Sequence, residues 1–240
     1  MENLVNSSNV TGLGRYGGDT GGSLFAPAKK SNSNFLDIGK KGKRLFDILL
    51  ASMALVFLLP MLLMLVAVLM ITQGRPIFIQ HKRIGLGGAT FPCFKFRSMV
   101  TSAEEVLREH LAKNSAAAME WQETHKLKND PRITPLGRVL RKSSVDELPQ
   151  LLNVIRGEMS LVGPRPIVRD EMVRYGAHIE DYVRVRPGLT GLWQVNGRSD
   201  VSYQHRVGLD VRYVHEWSFW RDVVIIVKTI PALLRSSGSY

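Results

Sequence analysis

From Ile48 to Ile71 the chain carries no charged residue. At about 1.5 Å per residue a helix of that length reaches roughly 36 Å, enough to cross hydrocarbon about 30 Å thick. A helix apolar all round needs a larger protein to surround it than this chain provides, so burial as a soluble core helix is the poorest fit. Pro60 sits near the middle of the run. It removes a backbone N–H and clashes with the preceding turn, so a kink or break is expected there. Basic residues flank both ends: Lys29, Lys30, Lys40, Lys41, Lys43 and Arg44 before the run, Arg75, Lys82, Arg83, Lys95 and Arg97 after it. A crossing helix carries its Lys/Arg excess on the cytoplasmic side alone. Symmetric flanks suit a re-entrant helix–break–helix that enters and leaves by one leaflet; the competing reading is an ordinary single-pass anchor.

The run divides the chain. Residues 1–40, with their Asn-Ser, Gly-Gly and Ser-Asn-Ser clusters, have too little apolar surface to offset the entropy of ordering and are expected as a disordered tail. Residues 41–73 hold the membrane segment, and 74–240 read as one globular domain. An excess of 32 Lys+Arg over 21 Asp+Glu gives a formal charge of +11, which calls for polyanionic partners: nucleic acid, anionic lipid or phosphorylated substrates. The single cysteine, Cys93, excludes an intramolecular disulfide framework and CxxC-type zinc or redox sites. Gly85-Leu86-Gly87-Gly88 lacks the G-x-G-x-x-G spacing and a following helix, and no P-loop, HExxH or G-x-S-x-G pattern occurs, so neither a dinucleotide fold nor the hydrolases built on those patterns are supported.

Within the globular part, residues 76–80 and 91–97 flank a Gly85-Leu86-Gly87-Gly88 turn. Phe94 and Phe96 alternate with Lys95 and Arg97, which predicts a short β-hairpin. Ser102 and Glu105 form a capping-box pattern ahead of a helix running to about Glu120. Near the end, Trp217, Phe219 and Trp220 precede an apolar stretch too short to span a bilayer, which fits an interfacial amphipathic helix or a core-facing one. The expected class is α+β, mostly helical.

The stretch from Arg138 to Ile155 holds the richest chemistry. Leu148, Leu151, Leu152 and Ile155 recur at helical spacing, with Ser144 and Glu147 as a capping box and Asp146 complementing the helix dipole. The same residues allow a second reading. Adjacent carboxylates beside Arg138, Arg141 and Lys142 would set a Mg²⁺-binding pair next to a phosphate-attracting cluster, with one carboxylate free to act as nucleophile toward phosphorus. Arg165 lies between Pro164 and Pro166, whose fixed φ angles hold its backbone in advance; a pre-set guanidinium fork matches phosphate oxygens, although a rigid loop with a solvated arginine has the same sequence. Residues 184–198 read as two turns, at Pro187-Gly188 and Asn196-Gly197, around a short strand.

Taken in order, Lys43-Arg44-x-x-Asp47, the apolar run with Pro60, Phe94-Lys95-Phe96-Arg97-Ser98-Met99, Asp146-Glu147-Leu148-Pro149-Gln150, Gly163-Pro164-Arg165-Pro166 and Arg186-Pro187-Gly188-Leu189-Thr190-Gly191 resemble the bacterial sugar transferases, the monotopic polyprenyl-phosphate phosphoglycosyl transferases. The resemblance runs from about Lys43 to the C-terminus and is nearest to the short exopolysaccharide-initiating members. It implies a re-entrant helix broken at Pro60, followed by a cytosolic catalytic domain with a small hairpin and interfacial helices, on the cytoplasmic face of the bacterial inner membrane. It further implies transfer of a hexose 1-phosphate from a UDP-sugar to undecaprenyl phosphate through an aspartyl intermediate on Asp146. Glu147, with Asp146, would hold Mg²⁺, and Lys95, Arg141 and Arg165 would handle phosphates. The family commonly has Ser before the break; here Leu59 precedes Pro60. On this reading nucleic acid is not a partner, inner-membrane lipid is, and a homo-oligomer is left open. No motif selects the sugar: galactose is preferred by overall resemblance, glucose next. The competing class is a non-catalytic, membrane-anchored basic module that binds anionic lipid or nucleic acid.

Overall fold

The computed structural model describes residues 40–124, 127–196 and 202–234. The expected tail and the Gly197 turn lie outside them. In chain order the elements are α1 (Lys40–Gln73), β1 (Phe78–Ile84), β2 (Thr90–Phe96), α2 (Ala103–Lys113), α3 (Ser115–Thr124), α4 (Pro135–Ser143), a 3-10 turn (Val145–Glu147), α5 (Gln150–Arg156), β3 (Ser160–Val162), α6 (Met172–Tyr175), α7 (Ile179–Val183), β4 (Gly188–Thr190), α8 (Leu192–Val195), α9 (Tyr203–His215) and α10 (Phe219–Leu234). The class is as expected, mostly helical with small sheets.

Helical backbone continues through Pro60, which lies inside α1 and not between two helices. One proline removes one N–H from the ladder, and the bonds on either side suffice to carry the helix past it. A stripe on one face of α1 turns inward: Asp47, Ala51, Leu62 and Leu69 are buried, with Leu55, Leu58, Leu65 and Val66 partly so. Met53, Val56, Phe57, Leu63, Met64 and Ile71 on the other faces are exposed, Phe57 to 81%.

Both ends of this helix are tied to the same body. Near its start, the Arg44 guanidinium donates to the carbonyls of Val154 (2.6 Å) and Ile155 (2.9 Å), satisfying the C-terminal end of α5. Asp47 accepts from the Ser160 hydroxyl (2.8 Å) on β3, and Lys43 donates to Asp222 on α10 (2.5 Å). At its end, Arg97 donates to the carbonyls of Gln73 and Gly74. Strand alternation had set Arg97 beside Lys95 on the polar side, yet it is buried: the orphan carbonyls ending α1 supply the acceptors that water would otherwise provide.

The hairpin forms as expected, antiparallel from Phe78↔Phe96 to Ile84↔Thr90. Gly87 and Gly88, at φ 67° and 78°, take the left-handed backbone of its turn. Strands β3 and β4 pair in parallel, Ser160 with Gly188 and Val162 with Thr190. A Cβ on Gly188 would overlap the backbone of Gly163, so only glycine permits the approach. Two expectations fail locally. Ser102 makes no side-chain cap, and the helix predicted to reach Glu120 is divided at Asn114, whose side-chain oxygen accepts from the Ala117 N–H (3.1 Å) and starts α3 anew. The C-terminal helix packs against the core on one side and is apolar and exposed on another. Asp222 and Ile225 of α10 enter the core while Trp220, Val224, Val227 and Ile230 form an exposed apolar stripe, and Phe219 meets Phe46 of α1 edge to face at 5.1 Å.

Candidate active site

The site is assembled where α4 ends against β2. Thr134 accepts the Gly137 N–H (2.9 Å) and Pro135 occupies the first helical turn, so α4 starts at a fixed point. Gly137 then lies against the backbone of Ser98, with no room for a Cβ. This approach lets Arg141, one turn on, donate through Nε to the Ser98 hydroxyl (2.8 Å). The helix stops at Ser144, whose φ of 57° turns the chain sharply into the 3-10 turn carrying Asp146 and Glu147. The expected capping box is therefore absent: a left-handed Ser144 makes no side-chain cap, and α5 starts only at Gln150, after Pro149. Leu152, expected on the buried face of that helix, is exposed.

Helix α5 is locked to β2 by Asn153. Its amide donates to the Pro92 carbonyl (2.7 Å) and accepts the Phe94 N–H (3.0 Å), standing in for a neighbouring strand. That lock brings Lys95 to the carboxylates. Its ammonium is 2.6 Å from Glu147 Oε1 and 3.9 Å from Asp146 Oδ2. Asp146 is only 7% exposed. Burial pushes its carboxyl up to about 6 from the usual 3.8; Lys95 and Arg141 oppose the rise and Glu147 adds to it. For Glu147 burial acts the same way, but Lys95, Arg165 and Arg83 outweigh it and the group stays below the ordinary range. The two neighbours are thus driven apart, one a shielded carboxylate with a raised pKa, the other held ionised.

Lys95, Arg141 and Arg165 all act on the Asp146–Glu147 pair, whereas Pro60, assigned as the membrane break, lies inside α1. Arg141 acts on Asp146, and Arg165 on Glu147. Arg138 and Lys142, read as part of the phosphate-attracting cluster, are exposed. The bacterial sugar transferase family matches residues 38–236, which take in all of these elements. The chain belongs to that family.

This bacterial sugar transferase is 54% identical over 203 residues to the exopolysaccharide production protein ExoY of Sinorhizobium fredii, covering 85% of this chain and 90% of that one. It is 49% identical over 211 residues to the undecaprenyl-phosphate galactose phosphotransferase of Salmonella typhimurium, which covers 88% of this chain but 43% of that longer protein. With the UDP-glucose:undecaprenyl-phosphate glucose-1-phosphate transferase of Caulobacter vibrioides it shares 36% over 206 residues, 82% of this chain and 72% of the relative.

Sequence reasoning passed over three contributors. Asn153 looked like any polar residue on a helix. Arg83 was read only as flanking charge, although the hairpin register, Arg83↔Phe91 and Ile79↔Lys95, sets it on the same strand face as Lys95. Arg206 lies 5.0 Å from the Trp193 ring centre, and Arg165 lies 5.4 Å from the same centre.

Proposed function

We propose that this bacterial sugar transferase moves a hexose 1-phosphate from a UDP-hexose to undecaprenyl phosphate, releasing UMP, at the cytoplasmic face of the inner membrane, as the opening step of exopolysaccharide assembly. The observation that carries this reading is the Asp146–Glu147 pair on its turn, with Lys95 bonded to one carboxylate and close to the other. The relatives' names support the substrates: undecaprenyl phosphate as acceptor, and galactose ahead of glucose as the sugar, since the galactose-named relative is the more similar of the two.

In the first half-reaction an Asp146 oxygen attacks the phosphorus that bears the sugar. The bond from that phosphorus to the bridging oxygen breaks, and its electron pair leaves with UMP. In the second, an oxygen of the lipid phosphate attacks the same phosphorus and the Asp146 carboxylate departs unchanged. The low-dielectric surroundings of Asp146 strip water from its carboxylate, while Lys95, Arg141 and Arg165 supply positive charge for the anions that meet there. Glu147, held ionised, keeps Lys95 in place.

Among the described residues no three His, Cys, Asp or Glu gather into a metal cage. Mg²⁺ needs none: it takes one or two carboxylates and completes its shell with water and substrate phosphates. Asp146 and Glu147 fit that role, and the ion when bound would neutralise charge on the phosphates.

The two anchors of α1 support a topology in which both its ends stay on one side of the bilayer, the part of the re-entrant reading that does not need a break at Pro60. Arg44 and Arg97 bind its opposite ends to one globular unit, and a unit on one side of a bilayer holds both ends of the helix on that side. Exposed apolar faces on α1 and α10 would lie in lipid, and the +11 charge favours an anionic leaflet.

The test is UMP release from UDP-galactose and UDP-glucose, with and without undecaprenyl phosphate, together with intact mass. Wild type given UDP-sugar alone should gain one hexose phosphate; Asp146→Asn should gain none. Absence of UMP with every sugar, alongside salt-sensitive anion binding, would establish the basic-module reading instead. Turnover with sequential kinetics and no adduct would reduce Asp146 to a metal ligand.

A further inference from the structure

Behind Arg165 lies a buried acid for which the transfer chemistry has no use. Asp210, on α9, is 1% exposed. Its Oδ2 accepts from the Tyr175 hydroxyl of α6 at 2.8 Å. An apolar side chain would fill such a position at lower cost, because a buried carboxylate must be compensated. The backbone and charge of Arg165 and the charge of Arg206 act on it, and those two arginines converge on Trp193. Arg165 stacks 5.4 Å from the centre of Trp193, on α8, and Arg206, one turn before Asp210, lies 5.0 Å from the same ring and 4.7 Å from that of Tyr203. Arg206 also reaches Glu171 at 3.5 Å. Two guanidiniums on one indole repel each other, and a fixed negative charge behind them offsets that repulsion.

We propose that Asp210 is a positioning residue for the donor: its carboxylate holds the Pro164-Arg165-Pro166 loop and the arginine–tryptophan stack, so that Arg165 meets the nucleotide's phosphates in one orientation. The proposal deepens the transferase reading and rests on it. Titration follows from the same arrangement. Burial pushes Asp210 up to about 7, while Tyr175, Arg206 and the backbone and guanidinium of Arg165 pull the other way. Tyr182 of α7 and Tyr203 also feel its charge. Above that pH the acid is ionised and the arginines are held; below it the hold weakens.

A double-mutant cycle tests the coupling. Wild type, Asp210→Asn, Arg165→Ala and the double variant are titrated with UDP by calorimetry, with UMP release measured in parallel. Asp210→Asn should weaken UDP binding tenfold or more and raise KM for the UDP-sugar more than it lowers kcat, and the double variant should bind no worse than Arg165→Ala alone. Effects that multiply independently, or unchanged UDP affinity in Asp210→Asn, overturn the proposal. If Asp210→Asn fails to fold, Tyr175→Phe keeps the carboxylate and removes the hydroxyl that lowers its pKa. UDP binding should then weaken at a higher pH than in wild type, and an unshifted profile overturns the proposal. Failure of the transferase reading shows separately, as wild type that binds UDP but releases no UMP.

Discussion

Lys95 is bonded to Glu147, at 2.6 Å, and stands off from Asp146, at 3.9 Å. The lysine is therefore fixed by Glu147, which on the proposed mechanism is not the acid that attacks, and Asp146 is left without a direct bond to the ammonium. Its charge still lowers the Asp146 pKa against burial. Lys95→Met should let that pKa rise above its present value of about 6. UMP release should fall by about 100-fold or more, with the acid limb of its pH profile displaced to higher pH. Lys95→Arg, which keeps the charge, should leave that limb nearer its wild-type position.

Asp146→Asn should stabilise the fold while abolishing the adduct. A carboxyl whose pKa is about 6 folded and 3.8 otherwise binds more protons in the native state between those values. Native stability therefore falls as pH rises through that window and levels off above it. The amide mimics the protonated acid without titrating. Thermal melts should place Asp146→Asn above wild type at pH 8 by on the order of 2–3 kcal/mol, and the gap should close near pH 4.

How much of this was legible in the sequence depends on the range of the forces involved. The hairpin is a local matter of glycine punctuation and alternation: its turn and second strand lie where those signals put them, while the first strand starts two residues later than expected and runs past Gln80 to Ile84. Asp146, Glu147 and Lys95 were recognisable as an ordered motif set, yet the capping box read from Ser144 and Glu147 was wrong, because tight contact between Gly137 and Ser98 and the left-handed Ser144 re-aim the turn. Arg97 went to the wrong side because its acceptors, the last carbonyls of α1, are invisible to strand alternation. Asn153 and Asp210 act on Phe94 and Arg165, partners far off along the chain, and no local pattern encodes such pairings.

Gly137→Ala is a small change in a place without room. A Cβ there would come within 2.8 Å of Ser98 Cα and closer to its carbonyl, so α4 must shift away from the strand end. Overpacking of this kind costs about 1–3 kcal/mol. Arg141 should lose its bond to Ser98 and the Asp146 turn should follow, so UMP release should fall tenfold or more, beyond what the lower melting temperature explains.

Asp222 should prove one of the costliest positions outside the site. It accepts from Lys43 (2.5 Å), the Tyr213 hydroxyl (2.8 Å) and the Trp217 ring N–H (3.1 Å), and so joins α1, α9 and α10. Asp222→Ala strands the Trp217 ring N–H, leaves Lys43 only Asp47 at 3.6 Å and Tyr213 only the Val162 carbonyl, and should cost about 3–5 kcal/mol in unfolding measured in detergent or nanodiscs. Lys43→Ala, which leaves Asp222 its two ring donors, should cost less.

The anchoring of α1 at both ends makes its topology measurable. In cells, Lys41→Cys and Arg75→Cys place single thiols just inside the start and just past the end of the helix, while Cys93, 1% exposed, contributes little background. With both ends held to one body, an impermeant maleimide should label neither thiol from the periplasm and both equally in inverted vesicles. A helix that crosses the bilayer would expose one thiol to each side. Pro60→Ala separates the contributions to that geometry. If the interactions of Arg44 and Arg97 fix the ends, labelling stays one-sided with a full-length ladder restored; if the proline sets the path, the Arg75→Cys thiol becomes reachable from outside.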